Sequence, residues 1–301
     1  MASIQPSPDA FPGLHSRKPA SGEAAGVEAL GEGTERPRKT WTDMNAWLVG
    51  ALVIGAAILY SLFGVMIGRR LMRGRVLEGH NDVLSPVFAT AGVIYAVLLG
   101  FVVIAVWETY GNAKDNIQAE ATALTTLYRL TAGMRHPDER VYMRKAIREY
   151  TEAVVSDEWK TQAATGSASP KTRASMGAMF SEFSRMPLST TGSQINGEFL
   201  RTLSTIVEER NRRIVQSSEE LPWAMWLGLI IGGAITVGMT FILYMEKTWP
   251  HVVISSVLAG LIGTLLYITI IFNKPFVGPV ALESGPFEYA INLYDSVDKG
   301  S

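Results

Sequence analysis

Four stretches of the chain run for more than twenty residues without Asp, Glu, Lys or Arg: Ala46–Gly68, Leu84–Trp107, Leu221–Tyr244 and Trp249–Phe272. A helix needs roughly 20 apolar residues to cross a hydrocarbon core of about 30 Å, so each run predicts a transmembrane helix. The runs form two close pairs with a polar segment, 108–220, between them. The pattern predicts an all-α polytopic membrane protein with four transmembrane helices in two pairs and an inserted helical domain. The expected divisions are a disordered tail (1–45), a first helix pair (46–107), the helical domain (108–220), a second pair (221–272) and a C-terminal tail (273–301).

Punctuation supports the spans. Ser85-Pro86, Leu221-Pro222 and Trp249-Pro250 stand at the starts of the second, third and fourth, and proline suits the first helical turn, where its missing N–H costs nothing. Six of the seven tryptophans, Trp41, Trp47, Trp107, Trp223, Trp226 and Trp249, lie at or just outside span ends, as in an interfacial aromatic belt. Glycines recur within the spans, among them Gly50, Gly92, Gly100, Gly232 and Gly263. Small residues let helices approach closely in lipid, within one chain or between copies, and the pattern leaves both open.

Helical periodicity continues past the second span. No proline occurs between Val87 and His136, and Ile117, Ala121, Leu124 and Tyr128 keep i, i+4, i+7, i+11 spacing. One helix is expected from Pro86 to about Met134. Pro137 opens another, with Met143, Ile147, Tyr150 and Val154 as its apolar stripe. A shorter helix carrying Met176, Met179, Phe180 and Phe183 follows the loop at 165–170. After a break at Pro187–Gly192, a long helix from Ser193 to Ser218 is expected to lead straight into the third span. In the C-terminal tail, Pro275-Phe276 and Pro286-Phe287 predict an extended segment pinned back by its aromatics.

Charge narrows the chemistry. The net charge is −1 and segment 108–220 holds 15 basic and 15 acidic side chains, a balance that suits a solvated bundle and excludes a nucleic-acid surface. There is no Cys, so thiolate chemistry and Cys-ligated metal are excluded. The four histidines (15, 80, 136 and 251) have no ligand spacing, and His80-Asn81-Asp82 reads better as a helix cap than as a metal site. No metal or cofactor is expected. No catalytic motif points to an enzyme, and no span carries a mid-membrane acid of the kind a proton-driven transporter uses.

Topology signals conflict. Arg69, Arg70, Arg73 and Arg75 follow the first span, whereas Arg36, Arg38 and Lys39 precede it and Arg210, Arg212 and Arg213 precede the third; each group satisfies the positive-inside rule for opposite orientations. A long N-terminal tail without a signal sequence favours cytoplasmic termini and domain.

The stretch Val93-Ile-Tyr-Ala-Val-Leu-Leu-Gly-Phe-Val-Val-Ile-Ala-Val-Trp-Glu108, with Ala119-Glu120 through Tyr128-Arg129, Arg210-Asn-Arg212-Arg213, Leu221-Pro222, Trp226 and Pro275-Phe276-Val-Gly278, resembles the bestrophin-like family of bacterial membrane proteins, also known as DUF4239. The resemblance covers roughly residues 45–290. It implies four membrane helices and a helical domain in a protein of a bacterial inner membrane. By comparison with bestrophins it implies a homo-oligomeric anion channel, for chloride or another small anion, whose second membrane helix lines an apolar neck. Carried over, Val97, Leu98, Phe101, Ile104 and Ala105 are the neck candidates. Animal bestrophins have an acidic calcium clasp that this chain lacks, so calcium gating is not implied.

Around that neck, Glu108, Arg210, Arg212 and Arg213 are candidates for the pore mouth or for contact with lipid headgroups. Glu120 and Arg129, nine residues apart, do not face each other on one helix and are expected to pair with other helices. The competing expectation is a non-conducting scaffold or sensor in which the helical domain binds a partner.

Overall fold

The computed structural model describes residues 40–71, 80–186 and 193–299. Residues 1–39 of the expected N-terminal tail, Arg73 and Arg75, and the break at Pro187–Gly192 lie outside them; residues 40–45, expected in the tail, are helical and open α1. Among the described residues all regular structure is helical: α1 (Thr40–Leu71), α2 (His80–Leu130), α3 (Pro137–Ala153), α4 (Trp159–Thr165), α5 (Pro170–Arg185), α6 (Ser193–Ser218), α7 (Trp223–Ile242), α8 (Thr248–Phe272) and α9 (Gly285–Lys299). A π turn, Val154–Glu158, joins α3 to α4. Helices α1, α2, α7 and α8 are long and apolar enough to cross a bilayer, and they coincide with the four expected spans.

Helix α2 organises the molecule. Its 51 residues extend about 75 Å at 1.5 Å per residue, far beyond the bilayer. One face is buried along nearly its whole length. In the membrane half Tyr95, Leu99 and Val102 pack with Leu229 and Val237 of α7 and Ala259 and Ile262 of α8. In the domain half Ala113, Ile117, Leu124, Leu127 and Tyr128 pack with α3, α5, α6 and α9. The alternating three- and four-residue steps keep both sets in one helical phase, so the two cores are two ends of one stripe.

The start of α2 corrects the sequence reading. Pro86 lies inside the helix, which begins at His80. The proline forfeits one ladder bond, to the Asp82 carbonyl. The extra turn is held from outside: the Asn81 side chain donates to the Tyr244 carbonyl (2.7 Å) and accepts from the Tyr244 N–H (3.0 Å).

Two further expectations change. Helix α6 does not run into the third span, because Glu219–Pro222 interrupt it before α7; the Leu221 N–H donates to Asn273 Oδ1 at 2.9 Å, tying the break to the end of α8. The C-terminal segment is no tail. Residues 273–284 are irregular, with Gly278 at φ +100°, a conformation open to glycine. After them α9 packs Phe287, Ala290 and Tyr294 into the domain core. Its amphipathic spacing begins directly at Pro286-Phe287, which the sequence reading took as extended. Arg144 and Arg148 of α3 bind Asp298 and Asp295 of α9 at 2.7–3.2 Å, and the Tyr128 and Tyr294 rings stack at 4.1 Å.

Candidate functional site

The outer face of α2 carries the neck candidates. Phe101, Ile104 and Val97 are 69%, 55% and 52% exposed and Leu98 is 38% exposed; Ala105 is exposed with them. Val97, Phe101, Ile104, Ala105 and Glu108 follow one helical face, opposite the Tyr95–Val102 stripe. At the same phase beyond Glu108 come Asn112, Asp115, Thr122, Thr126 and Arg129, all exposed. No other described element covers this face. It passes from apolar to polar where Trp107 and Tyr110 pack on Phe272 at 5.1 Å, an aromatic group at the end of α8 that marks the membrane boundary.

Behind this face, in the domain, lies a charged core. Glu120 of α2, Glu158 of the π turn, and Arg210 and Arg213 of α6 are 0%, 0%, 7% and 0% exposed. Arg213 Nε donates to Glu120 Oε2 at 2.8 Å, and its Nη2 donates to Glu120 Oε1 at 3.2 Å and Glu158 Oε1 at 3.0 Å. Its Nη1 donates to Gln162. Arg210 forks onto Glu158 through Nε (3.1 Å) and Nη2 (2.6 Å). The Tyr150 hydroxyl donates to Glu120 Oε1 at 2.6 Å. The guanidinium of Arg213 also lies 5.3 Å from the Trp159 ring and 5.5 Å from that of Phe287, within cation–π range. The two Pro-Phe pairs complete this wall: Phe276 and Phe287 both meet Trp159 edge-on, and the Trp159 N–H donates to the Leu282 carbonyl at 3.1 Å.

The π turn completes the arrangement. Its extra residue per turn shifts the helical phase, so that Trp159 and Gln162 of α4 come to the same side as Glu158. The core therefore joins α2, α3, α4 and α6 through charge-assisted bonds with fixed geometry, and α9 through the Phe287 ring beside Arg213.

This placement corrects one expectation. Arg210 and Arg213 face neither headgroups nor a pore mouth, because their guanidiniums are consumed inside the domain. Arg212, between them, is exposed and binds Glu208 (2.6 Å) and Glu209 (3.2 Å) on its own helix. Glu120 bonds across helices to Arg213, whereas Arg129 is exposed and has no partner among the described residues. Sequence reasoning missed Tyr150, Glu158, Trp159 and Gln162 as members of this core. No group of three or more His, Asp or Glu side chains suited to a metal ion occurs among the described residues.

Burial sets the titration of the core. It pushes the Tyr150 hydroxyl well above its ordinary value, and the neighbouring Glu120 charge pushes the same way against a smaller pull from Arg213 and Arg210. Burial alone would lower Arg213; Glu120, then Tyr150 and Glu158, more than reverse this and hold it above its usual range. Tyr150 thus binds its proton more tightly folded than unfolded. Its contribution is complete below the unfolded value near pH 10 and is lost as pH rises toward the folded one. Tyr150→Phe is expected to cost about 1.5–3 kcal/mol at neutral pH, the worth of a hydrogen bond to a charged group. The gap to the parent should close above roughly pH 10. Thermal unfolding in detergent against pH measures this, and a gap that stays constant with pH would refute it.

A family model for a Bestrophin-like domain matches residues 55–287. No curated protein matches the sequence. Among solved structures, a mutant of a bacterial Bestrophin homolog from Klebsiella pneumoniae aligns with TM-score 0.65 at 13% identity, covering 82% of this chain and 98% of that one. A second mutant of that homolog gives TM-score 0.62 at 14% identity, over 82% and 96%. At such identity the likeness speaks for the fold.

Proposed function

Since this chain belongs to the bestrophin-like family, we propose that copies of it assemble with their α2 faces around a common axis to form a homo-oligomeric ion channel. The observation that carries this reading is the uncovered face of α2: apolar from Val97 to Ala105, then polar through Asn112, Asp115, Thr122 and Thr126, with α6, α7, α8 and α9 all packed on the opposite side. Lipid alone would satisfy the apolar part. The same face continues beyond the bilayer boundary in mostly uncharged polar side chains, which suits a water-filled vestibule leading to a hydrophobic constriction. On this reading the helical domain and both termini are cytoplasmic, and Arg69 and Arg70 stand at the opposite surface.

Family resemblance implies chloride as the ion. Two residues favour a second reading of selectivity. Glu108 and Asp115 lie on the proposed axis face, and rings of acid raise the local concentration of cations and repel anions.

Purified protein in liposomes under a salt gradient tests both points. Phe101→Ala is expected to raise conductance by widening the constriction, and Glu108→Gln with Asp115→Asn to move the reversal potential toward the anion value. Tight liposomes from a monomeric or dimeric preparation would overturn the channel and leave the scaffold. Currents indifferent to Phe101 would remove this face from the axis.

A further inference from the structure

At the membrane end remote from the domain, α1 and α7 enclose a crevice that neither the α2 face nor the charged core uses. Its volume is about 770 Å3, and its walls are Leu59, Phe63, Ile67 and Leu71 of α1 with Phe241 and Ile242 of α7. Gly64 lets the Phe241 ring close onto α1 as the floor of the crevice, and Gly238 stands on the α7 wall near the Tyr60 hydroxyl. The one hydroxyl on the wall, that of Tyr60, is already donated to the Ala234 carbonyl at 3.1 Å. A bound water needs two to four polar partners, which these walls do not supply. The α1 side chains are exposed along the groove, so it opens to the bilayer over its length.

Helix α1 carries a cation beside the last wall residue, Leu71. Arg70 follows Phe63 and Ile67 at i+7 and i+3, on the crevice's own face of α1. It is exposed and has no hydrogen bond or ion pair among the described residues. Its neighbour Arg69 is fixed instead, donating to the carbonyls of Met245 (2.8 Å) and Glu246 (3.3 Å). Trp249 and Tyr244, 77% and 45% exposed at this same end, place the mouth at headgroup level. An apolar channel in the acyl region with an exposed guanidinium at headgroup depth matches one ligand chemistry.

We propose that this crevice binds one acyl chain of an anionic phospholipid, with the lipid phosphate on Arg70. The site stands whether or not the chain conducts. The experiment is native mass spectrometry of the full-length protein, delipidated in a neutral detergent and then offered phosphatidylglycerol or phosphatidylcholine with identical chains. One phosphatidylglycerol per chain should survive washing, with phosphatidylcholine bound about fivefold more weakly, the worth of one basic residue near an anionic headgroup. Arg70→Gln should erase that preference while leaving the remaining binding in place. Ile67→Trp, at a half-exposed position that tolerates bulk, should fill the groove and lower binding of both lipids. Equal binding of the two lipids by the parent, or a preference that survives Arg70→Gln, would overturn the headgroup assignment. Full lipid binding by Ile67→Trp would overturn the crevice as the seat. A fall in oligomer mass with lipid binding unchanged would give the groove to a second copy of the chain and overturn the proposal.

Discussion

Arg213→Met is expected to destabilise the helical domain by about 3–5 kcal/mol, the typical cost of removing one partner from a buried ion pair. Arg213 is the only guanidinium that reaches Glu120 among the described residues, and it reaches it twice, at 2.8 and 3.2 Å. Without it, Glu120 keeps the Tyr150 hydroxyl alone. Glu158 suffers less, because Arg210 still forks onto it. Methionine is apolar and flexible enough to lie against Trp159 and Phe287, so most of the loss comes from the missing charge and its bonds. A domain holds about 5–15 kcal/mol in all, and the variant should unfold at a visibly lower temperature in detergent. Glu120→Gln combined with Arg213→Met should recover part of the loss, since a neutral amide no longer needs the cation. Arg213→Lys should behave like a partial deletion, because a single ammonium cannot repeat the planar fork onto Glu120, Glu158 and Gln162. A single variant as stable as the parent would show that water reaches Glu120 in the folded protein.

The sequence announced the membrane architecture and hid the charged core, for a physical reason in each case. Spans are legible because lipid imposes one requirement on every residue of a long run, and the runs around Leu98 and Leu265 satisfy it without Asp, Glu, Lys or Arg. The reach of α2 into the domain was legible for the same kind of reason: Ile117, Leu124 and Tyr128 continue the phase of Leu99 and Val102. The core was hard to find because its members lie far apart in sequence and each has an innocent local reading. Tyr150 looks like one more apolar position of α3, and the arginines before the third span look like membrane anchors. A usable signal was nevertheless present. Phe199, Leu203 and Ile206 set an apolar phase on α6, and Arg210 and Arg213 fall on it; Met143, Ile147, Tyr150 and Val154 set one on α3, and Glu158 falls on that. Charges of opposite sign on the buried phase of different helices require one another, because either alone in a core is too costly. The π turn, which adds Gln162 to the side of Glu158, has no comparable sequence signal. The amphipathic run of α9 was readable but was masked by the prolines ahead of it.

The same helix that carries the charged core also presents the proposed axis face, so packing behind α2 in the membrane should matter as much as the face itself. Gly232→Ala is expected to destabilise the protein while Gly228→Ala, one turn away on α7, leaves it unchanged or slightly more stable. A Cβ at Gly232 would sit 2.6 Å from Tyr95 Cδ2 and 2.9 Å from Cε2, whereas one at Gly228 meets Leu98 Cδ2 at an ordinary 4.0 Å. Tyr95 cannot easily yield: it is 5% exposed, and its hydroxyl donates to the Leu229 carbonyl at 3.0 Å. Exchanging glycine for alanine within a helix favours the helix by up to about 1 kcal/mol. At Gly228 nothing opposes that gain. At Gly232 it meets an overpacking cost of about 1–3 kcal/mol, so the clash decides the sign. Relief requires α7 to move away from α2 or the Tyr95 ring to leave its pocket, and either motion turns the opposite face, Val97, Phe101 and Ile104, out of position. Melting temperature, oligomer mass and liposome current should therefore all fall for Gly232→Ala and hold for Gly228→Ala. Equal stability of the two variants would show that α2 and α7 are not held at this distance in the membrane. A normal current from a destabilised Gly232→Ala would show that the Tyr95 side of the helix does not set the geometry of its outer face.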